Sequence, residues 1–193
     1  MNKEIQTILD DLQMKMKESR FRHTLGVMHT AASLAYCYEY DANKAMLAAA
    51  LHDCAKITGL NDYVSECKKY HISFPKVCLK SPHLLHADLG AYFAKEVYHV
   101  NDQEILHAIK VHTTGCPNMN LLDKIIFIAD YIEPGRPDFD GITAIRYNAF
   151  HNIDKAVLLE TENVLNYIKK QGFAIDERTV ETYNYYKKLI DRR

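Results

Sequence analysis

Apolar residues in this chain recur at steps of three and four along almost its whole length, a period that fits helices and little else. Ile5, Ile8, Leu9, Leu12 and Met16 form one series, and Leu25, Met28, Ala32 and Ala35 form the next. Such spacing lines up one face of a 3.6-residue helix, whereas a half-buried strand needs strict alternation. No clear alternating run occurs, no Asn-Gly pair signals a hairpin, and only seven glycines interrupt the 193 residues. An all-α fold follows.

Starts and stops divide this period into segments. Asp41 caps a third helix that runs through Leu47 and Leu51 to a stop at Thr58-Gly59, and Asn61 opens a short fourth. Pro75 and Pro82 mark a loop with room for one turn. His83 to Tyr98 and Asp102 to about His112 read as helices, the second ending hard at Thr113-Thr114-Gly115-Cys116-Pro117. Residues 120–132, NLLDKIIFIADYI, are apolar enough for a central helix or a strand, and length and neighbours favour the helix. After EPGRPDFDG come a long amphipathic segment from Ile142 to Lys170 and a last helix from about Asp176 to Asp191. With no repeat, low-complexity tract or linker, residues 1–193 read as a single domain with one good core.

Bulk properties exclude several function classes. The 24 basic and 25 acidic residues leave a formal charge of -1, so no long-range field draws the chain to nucleic acid or anionic lipid. Five cysteines without a CxxC pair suit reduced thiols in a cytoplasmic protein better than a disulfide framework. The opening MNKEIQTILDDLQMKMKE lacks an apolar signal core, and no stretch has the length of uncharged apolar sequence that spans a membrane. The chain is expected to be soluble, unexported and cytoplasmic. Function then rests on specific side chains.

Those side chains first show in AAALHDCAKITG, residues 48–59, where His52, Asp53 and Lys56 break into sequence of core composition. On a continuous helix Lys56 lies four residues after His52 and three after Asp53, so all three share a face. Either they form an ordinary solvent-side pair, or they point inward. An inward carboxylate or ammonium costs several kcal/mol unless a counter-ion or metal accompanies it. His23 in RFRHTLGV, His86 in HLLHADLGAYFA, His112 in AIKVHTTG and Asp130 in IFIADYIEPGR also stand beside buried-type sequence. Imidazole nitrogens and carboxylate oxygens are the ligands that iron, manganese and zinc take, and a His, His-Asp and Asp set makes a cage.

The order His23, His52-Asp53, Asp130 resembles the H…HD…D pattern of the HD-domain metal-dependent phosphohydrolase superfamily. Within it, RFRHTLGV, LHDCAK, LLHADLGA, VHTTG and ADYIEPGR resemble the YqeK-like family of symmetrical bis(5'-nucleosyl)-tetraphosphatases, over roughly residues 17–187. The resemblance implies a compact HD-domain helical bundle, with an HD core at about 17–135 and C-terminal helices at about 142–191. It implies an iron centre, with manganese second, and hydrolysis of diadenosine tetraphosphate to two ADP. By position, His23, His52, Asp53 and Asp130 match the metal ligands. His86 and His112 match the second-metal positions of related two-metal enzymes. Arg20, Asp53, Lys56, His86, His112, Thr113, Asp130, Glu133 and Arg136 match positions that face the nucleotide phosphates or the ions beside them. Two places depart from the family pattern: RPDFDGI after Arg136, and Ala87, where a glycine is more usual.

The residues themselves suit phosphoanhydride chemistry. Asp53 and Lys56 form the expected catalytic pair. Lys56, Arg20, Arg136 and the protonatable His86 and His112 are the cations available to neutralise phosphate charge. A departing nucleoside diphosphate is a weak base, so Lys56 is assigned charge neutralisation before acid catalysis. The His112-Thr113-Thr114-Gly115 stretch offers groups for a phosphate oxygen, or a plain C-cap. Glu133-Pro134-Gly135-Arg136 reads as part of the site or as a surface turn, and Asp130 and Glu133 can share a face toward a metal.

Other residues carry a plainer reading. His29, His71, His99 and His151 are surface or structural histidines, His83 a helix-capping one, and His107 faces away from His112. Asp123 is a helix-start carboxylate, and Tyr183, Tyr185 and Tyr186 serve packing and rim. An alarmone, a deoxynucleoside triphosphate or a cyclic nucleotide stays open as substrate, as does a non-catalytic nucleotide-sensing module. The C-terminal helices could pair two subunits as a homodimer.

Overall fold

The computed structural model describes residues 2–192, and every regular element among them is helical. α1 (Lys3–Lys15) and α2 (Glu18–Cys37) carry the first two apolar series, burying Ile5, Ile8, Leu9 and Leu12 on one and Val27, Met28, Ala31, Leu34 and Ala35 on the other. The Asp41 carboxylate accepts from the amides of Asn43 and Lys44 and starts α3 (Ala42–Leu51). Ala45, Ala48, Ala49 and Ala50 of α3 are buried and small, which lets α2 lie along it.

α3 ends at Leu51, not at the expected Thr58-Gly59. His52 to Ala55 continue as tight turns, because the His52 ring takes the Ala49 carbonyl at 2.6 Å. The amides of Cys54 and Lys56 then reach back only three residues, to Leu51 and Asp53. The continuous helical face assumed for His52, Asp53 and Lys56 is therefore absent, yet the turn brings Lys56 Nζ to 2.9 Å from Asp53 Oδ1.

α4 (Tyr63–Lys69) is capped by Asp62, one residue after the expected Asn61. Between Pro75 and Leu85 the chain makes two 3₁₀ turns, Lys76–Leu79 and Pro82–Leu84. α5 (Leu85–Glu96) and α6 (Gln103–Val111), the latter capped by Asp102, lead to α7 (Leu121–Ile132). Asn120 and Asp123 close a capping box at the start of α7. This helix buries Leu122, Ile125, Ile126, Phe127, Ile128, Ala129 and Ile132 because α2, α3, α6 and α9 surround it. Burial on all sides explains why its sequence also suited a buried strand.

The segment from Ile142 to Lys170, expected to be unbroken, is two helices, α8 (Ile142–Ala149) and α9 (Ile153–Gln171). The Asn152 side chain accepts from the Lys155 amide and starts α9 afresh, a break too short to disturb the apolar period. α10 (Glu177–Asp191) packs on α9, and its Thr182 hydroxyl donates to the Thr114 carbonyl at 3.2 Å, under the end of α6. Among the described residues no helix is long and apolar enough to cross a membrane, and all five cysteines are free thiols.

Candidate metal centre

Four histidines and two aspartates from separate parts of the chain converge at one spot. His23 comes from α2, His52 and Asp53 from the turn after α3, His86 from α5, His112 from the end of α6 and Asp130 from α7. Asp53 sits in the middle, fully buried. Its Oδ2 lies 3.4 Å from His52 Nε2 and 3.9 Å from His23 Nε2. Asp130 Oδ1 completes that side, 3.0 Å from His23 Nε2 and 3.9 Å from His52 Nε2. The other oxygen, Asp53 Oδ1, lies 3.4 Å from His86 Nε2 and 3.7 Å from His112 Nε2. One carboxylate thus serves two groups of nitrogens.

Hydrogen bonds on the far side of each ring decide which nitrogen faces inward. His52 Nδ1 donates to the Ala49 carbonyl and His112 Nδ1 to the Ile109 carbonyl, both at 2.6 Å. His86 Nδ1 donates to the His83 carbonyl. His23 Nδ1 donates to Glu133 Oε1 at 3.0 Å. None of these acceptors can donate, so in each neutral ring the proton is on Nδ1 and the Nε2 lone pair points at the carboxylates. His23 Nε2 and His52 Nε2 are buried without a hydrogen-bond partner. Buried lone pairs facing buried carboxylates repel unless a cation stands among them, and a mixed nitrogen and oxygen set is what a divalent metal takes. The residues fit a metal.

Electrostatics agree. Burial acts to raise the Asp53 carboxyl, but the positive charge around it, the Lys56 ammonium included, outweighs burial and holds the group well below the usual carboxylate range. Asp130 is likewise held low against the effect of its burial. Burial, with Lys56 beside it, pushes the His86 ring well below its ordinary value. That direction suits His86 as a neutral ligand better than as the source of positive charge expected from the sequence. His86 Nε2 and His112 Nε2 are 3.0 Å apart, with Thr113 Oγ1 at 3.1 and 3.2 Å from them.

Cations rim the centre. Arg20 Nη1 donates to Asp53 Oδ2 at 2.8 Å, and Arg136 binds Asp130 twice, Nη2 to Oδ1 at 2.9 Å and Nε to the carbonyl at 3.1 Å. Both arginine side chains are about a third exposed.

Glu133 stands elsewhere than its alignment with Asp130 suggests. It is buried behind His23, one oxygen on His23 Nδ1 and the other accepting from the Gly135 amide. The non-helical backbone at this C-cap, φ -52° and ψ 150°, ends the helical alignment of Glu133 with Asp130. A Cβ at Gly26 or Gly135 would strike its oxygens, so both glycines make its seat. The VHTTG stretch satisfies both of its readings: the Gly115 amide caps Val111 at 2.8 Å, with Gly115 at φ +65°, while His112 and Thr113 face the centre.

Of three residues near the site, Tyr63 and Glu160 carry no usable signal in the sequence, and His83 reads there as a helix cap. Tyr63 of α4 lies near enough for burial and the Asp53 charge to raise its phenol. His83 caps nothing with its side chain; Ser81 precedes that turn, and His83 serves through the carbonyl that holds His86. Glu160 of α9, buried behind Asp130 and Arg136, has no spacing relation to either.

A family model described as HD domain matches residues 20–135, a span that includes every inward-facing donor above. The chain belongs to the HD-domain family. Relatives within this family are close over nearly the whole length. One, from Halalkalibacterium halodurans, is named symmetrical bis(5'-nucleosyl)-tetraphosphatase and is 40% identical over 169 residues, 88% of this HD-domain chain and 89% of the other. A protein of the same name from Bacillus subtilis is 36% identical, covering 90% and 92%. A crystal structure described as a "predicted HD superfamily hydrolase involved in NAD metabolism", from Clostridium acetobutylicum, superposes with a TM-score of 0.89 at 38% identity, covering 97% of each chain.

Proposed function

We propose that this HD-domain chain is a metal-dependent symmetrical bis(5'-nucleosyl)-tetraphosphatase that hydrolyses diadenosine tetraphosphate to two ADP. The observation that carries this reading is the split of Asp53, one oxygen toward His23 and His52 and the other toward His86 and His112. The names of its relatives support the substrate.

His23, His52, Asp53 and Asp130 would hold one ion, and His86 and His112, sharing Asp53, a second. Iron is the favoured metal, then manganese, on the family resemblance, and imidazole and carboxylate donors without a thiolate suit either. Bound there, the metal supplies an activated water by lowering its pKa from about 15.7 toward 7.

Arg20 and Arg136, pinned by the two aspartates yet partly exposed, bind phosphate oxygens and set the chain across the centre. Lys56 holds its ammonium over Asp53 Oδ1, where it meets charge developing on the attacked phosphate. Thr113 Oγ1 places a hydroxyl between the His86 and His112 nitrogens, ready to orient water or a phosphate oxygen. In the symmetrical cut, the water oxygen bonds to one of the two central phosphorus atoms. The bridging oxygen leaves with the second ADP, which is stable enough as an anion to need no dedicated acid. Reduced thiols agree with a cytoplasmic setting.

The deciding experiment gives iron- or manganese-loaded protein diadenosine tetraphosphate beside an alarmone and a deoxynucleoside triphosphate, and separates the products by chromatography. ADP alone is expected from the first. AMP with ATP, or faster turnover of another substrate, would overturn the proposal.

A further inference from the structure

A second group of metal-type donors lies outside the catalytic centre. His107 on α6, Cys116 in the α6–α7 connection and Asp123 in the first turn of α7 each offer a ligand atom, and these atoms lie within 4.8 Å of one another. None of the three takes part in the chemistry above.

Their surroundings suit capture of an ion. Asp123 is fully buried, and its Oδ2 accepts from the Asn120 amide at 3.0 Å, which locks the side chain and aims Oδ1 at His107 Nδ1, 2.9 Å away. A hydrogen-bonded carboxylate with a fixed rotamer is a preorganised ligand. The His107 side chain is half exposed, so the group opens to solvent on that side, which gives a path of entry and room for a water as fourth ligand. Cys116 is partly buried beside Asp123. Neighbouring ligands on a tetrahedral zinc stand about 3.3–3.6 Å apart, so small side-chain adjustments close this group on an ion. One nitrogen, one sulfur and one oxygen select a borderline dication of the zinc class, because magnesium and calcium take oxygen ligands.

We propose that His107, Cys116 and Asp123 form a second metal site, for a zinc-class dication, that staples the connection between α6 and α7. That connection starts with His112 and Thr113 of the catalytic centre, and Gly115, beside Cys116, lies against Thr182 of α10. An ion held from both ends of the segment ties it down without touching the reacting atoms. Forming the sulfur–metal bond displaces the Cys116 thiol proton to solvent, and the ion binds the folded chain in preference to the unfolded one.

Cobalt(II) tests this directly, since a thiolate ligand gives an intense near-ultraviolet charge-transfer band and the sulfur-free catalytic centre cannot. Metal-freed full-length protein titrated with cobalt should develop that band. Cys116→Ser and His107→Ala should lack it, while their turnover with iron or manganese stays within about twofold of wild type. Zinc in about hundredfold excess over its dissociation constant should raise the melting temperature of wild type by about 5 °C more than that of Cys116→Ser. No band in wild type, a band that persists in Cys116→Ser, or equal zinc shifts in the two proteins would overturn the proposal.

Discussion

Glu133 holds His23 from behind: its Oε1 accepts from His23 Nδ1 at 3.0 Å while His23 Nε2 faces Asp130 Oδ1, also at 3.0 Å. A carboxylate on the outer nitrogen fixes the ring and makes its inner nitrogen a better ligand. Glu133→Ala should therefore lower metal affinity by about 10–100-fold with the helical fold retained, and Glu133→Gln should fall between it and wild type. Chelator competition measures this. Unchanged affinity in Glu133→Ala would show that His23 needs no such support.

Gly26→Ala should produce the same defect from a different helix. Inside a helix alanine is normally favoured over glycine by about 1 kcal/mol. At this position the added Cβ falls on the Glu133 carboxylate and drives it off His23. Weaker metal binding without a gain in melting temperature is expected. A tighter-binding or more stable variant would mean that Glu133 has room to move.

Removing Asp53 and removing Lys56 should separate two roles. Asp53→Ala takes a ligand from both groups of nitrogens and should abolish metal retention together with turnover, a loss of at least about 10³-fold. Lys56→Ala leaves every inward-facing donor in place. It should keep the metal and lose about 10²–10³-fold in kcat. Metal analysis beside steady-state kinetics distinguishes them, and a Lys56 variant that loses its metal would make the lysine structural.

Glu160 offers a test by pH. Burial, and the Asp130 charge, raise its carboxyl well above the ordinary 4.5, with Arg136 offsetting only part, and its Oε2 has no hydrogen-bond partner. Above that ordinary value the unfolded chain releases the Glu160 proton and the folded chain keeps it. The folded state then binds more protons, so this group lowers stability as pH rises toward its folded pKa. Glu160→Gln should melt above wild type at pH 8, with the difference vanishing near pH 4. Equal differences at both values would assign the effect to packing.

Much of this arrangement is legible in the sequence where the cause is local. Asp41, Asp102, Asn120 and Asp176 cap the helices they precede, because capping depends on the next two or three amides. The breaks after Leu51 and at Phe150 to Asn152 escape a periodicity argument, since neither shifts the apolar phase. Within the site, residue types and order bring His23, His52, Asp53 and Asp130 forward, and the structure gathers them. Three features depend on packing that spacing does not encode: the side on which Glu133 sits, the lowered basicity of His86, and the meeting of His107 with Asp123 and Cys116. Spacing alone carries no trace of them.

Three of the four inward rings bind the carbonyl three residues behind them, His52 to Ala49, His86 to His83 and His112 to Ile109. Tautomer choice is thereby written into the main chain at the ends and beginnings of helices, out of reach of most side-chain substitutions. An arriving cation meets nitrogens already bare and already aimed. Loading and stripping should behave as exchange at a preformed chelator, without refolding, and an emptied molecule stays ready for whichever suitable ion its surroundings supply.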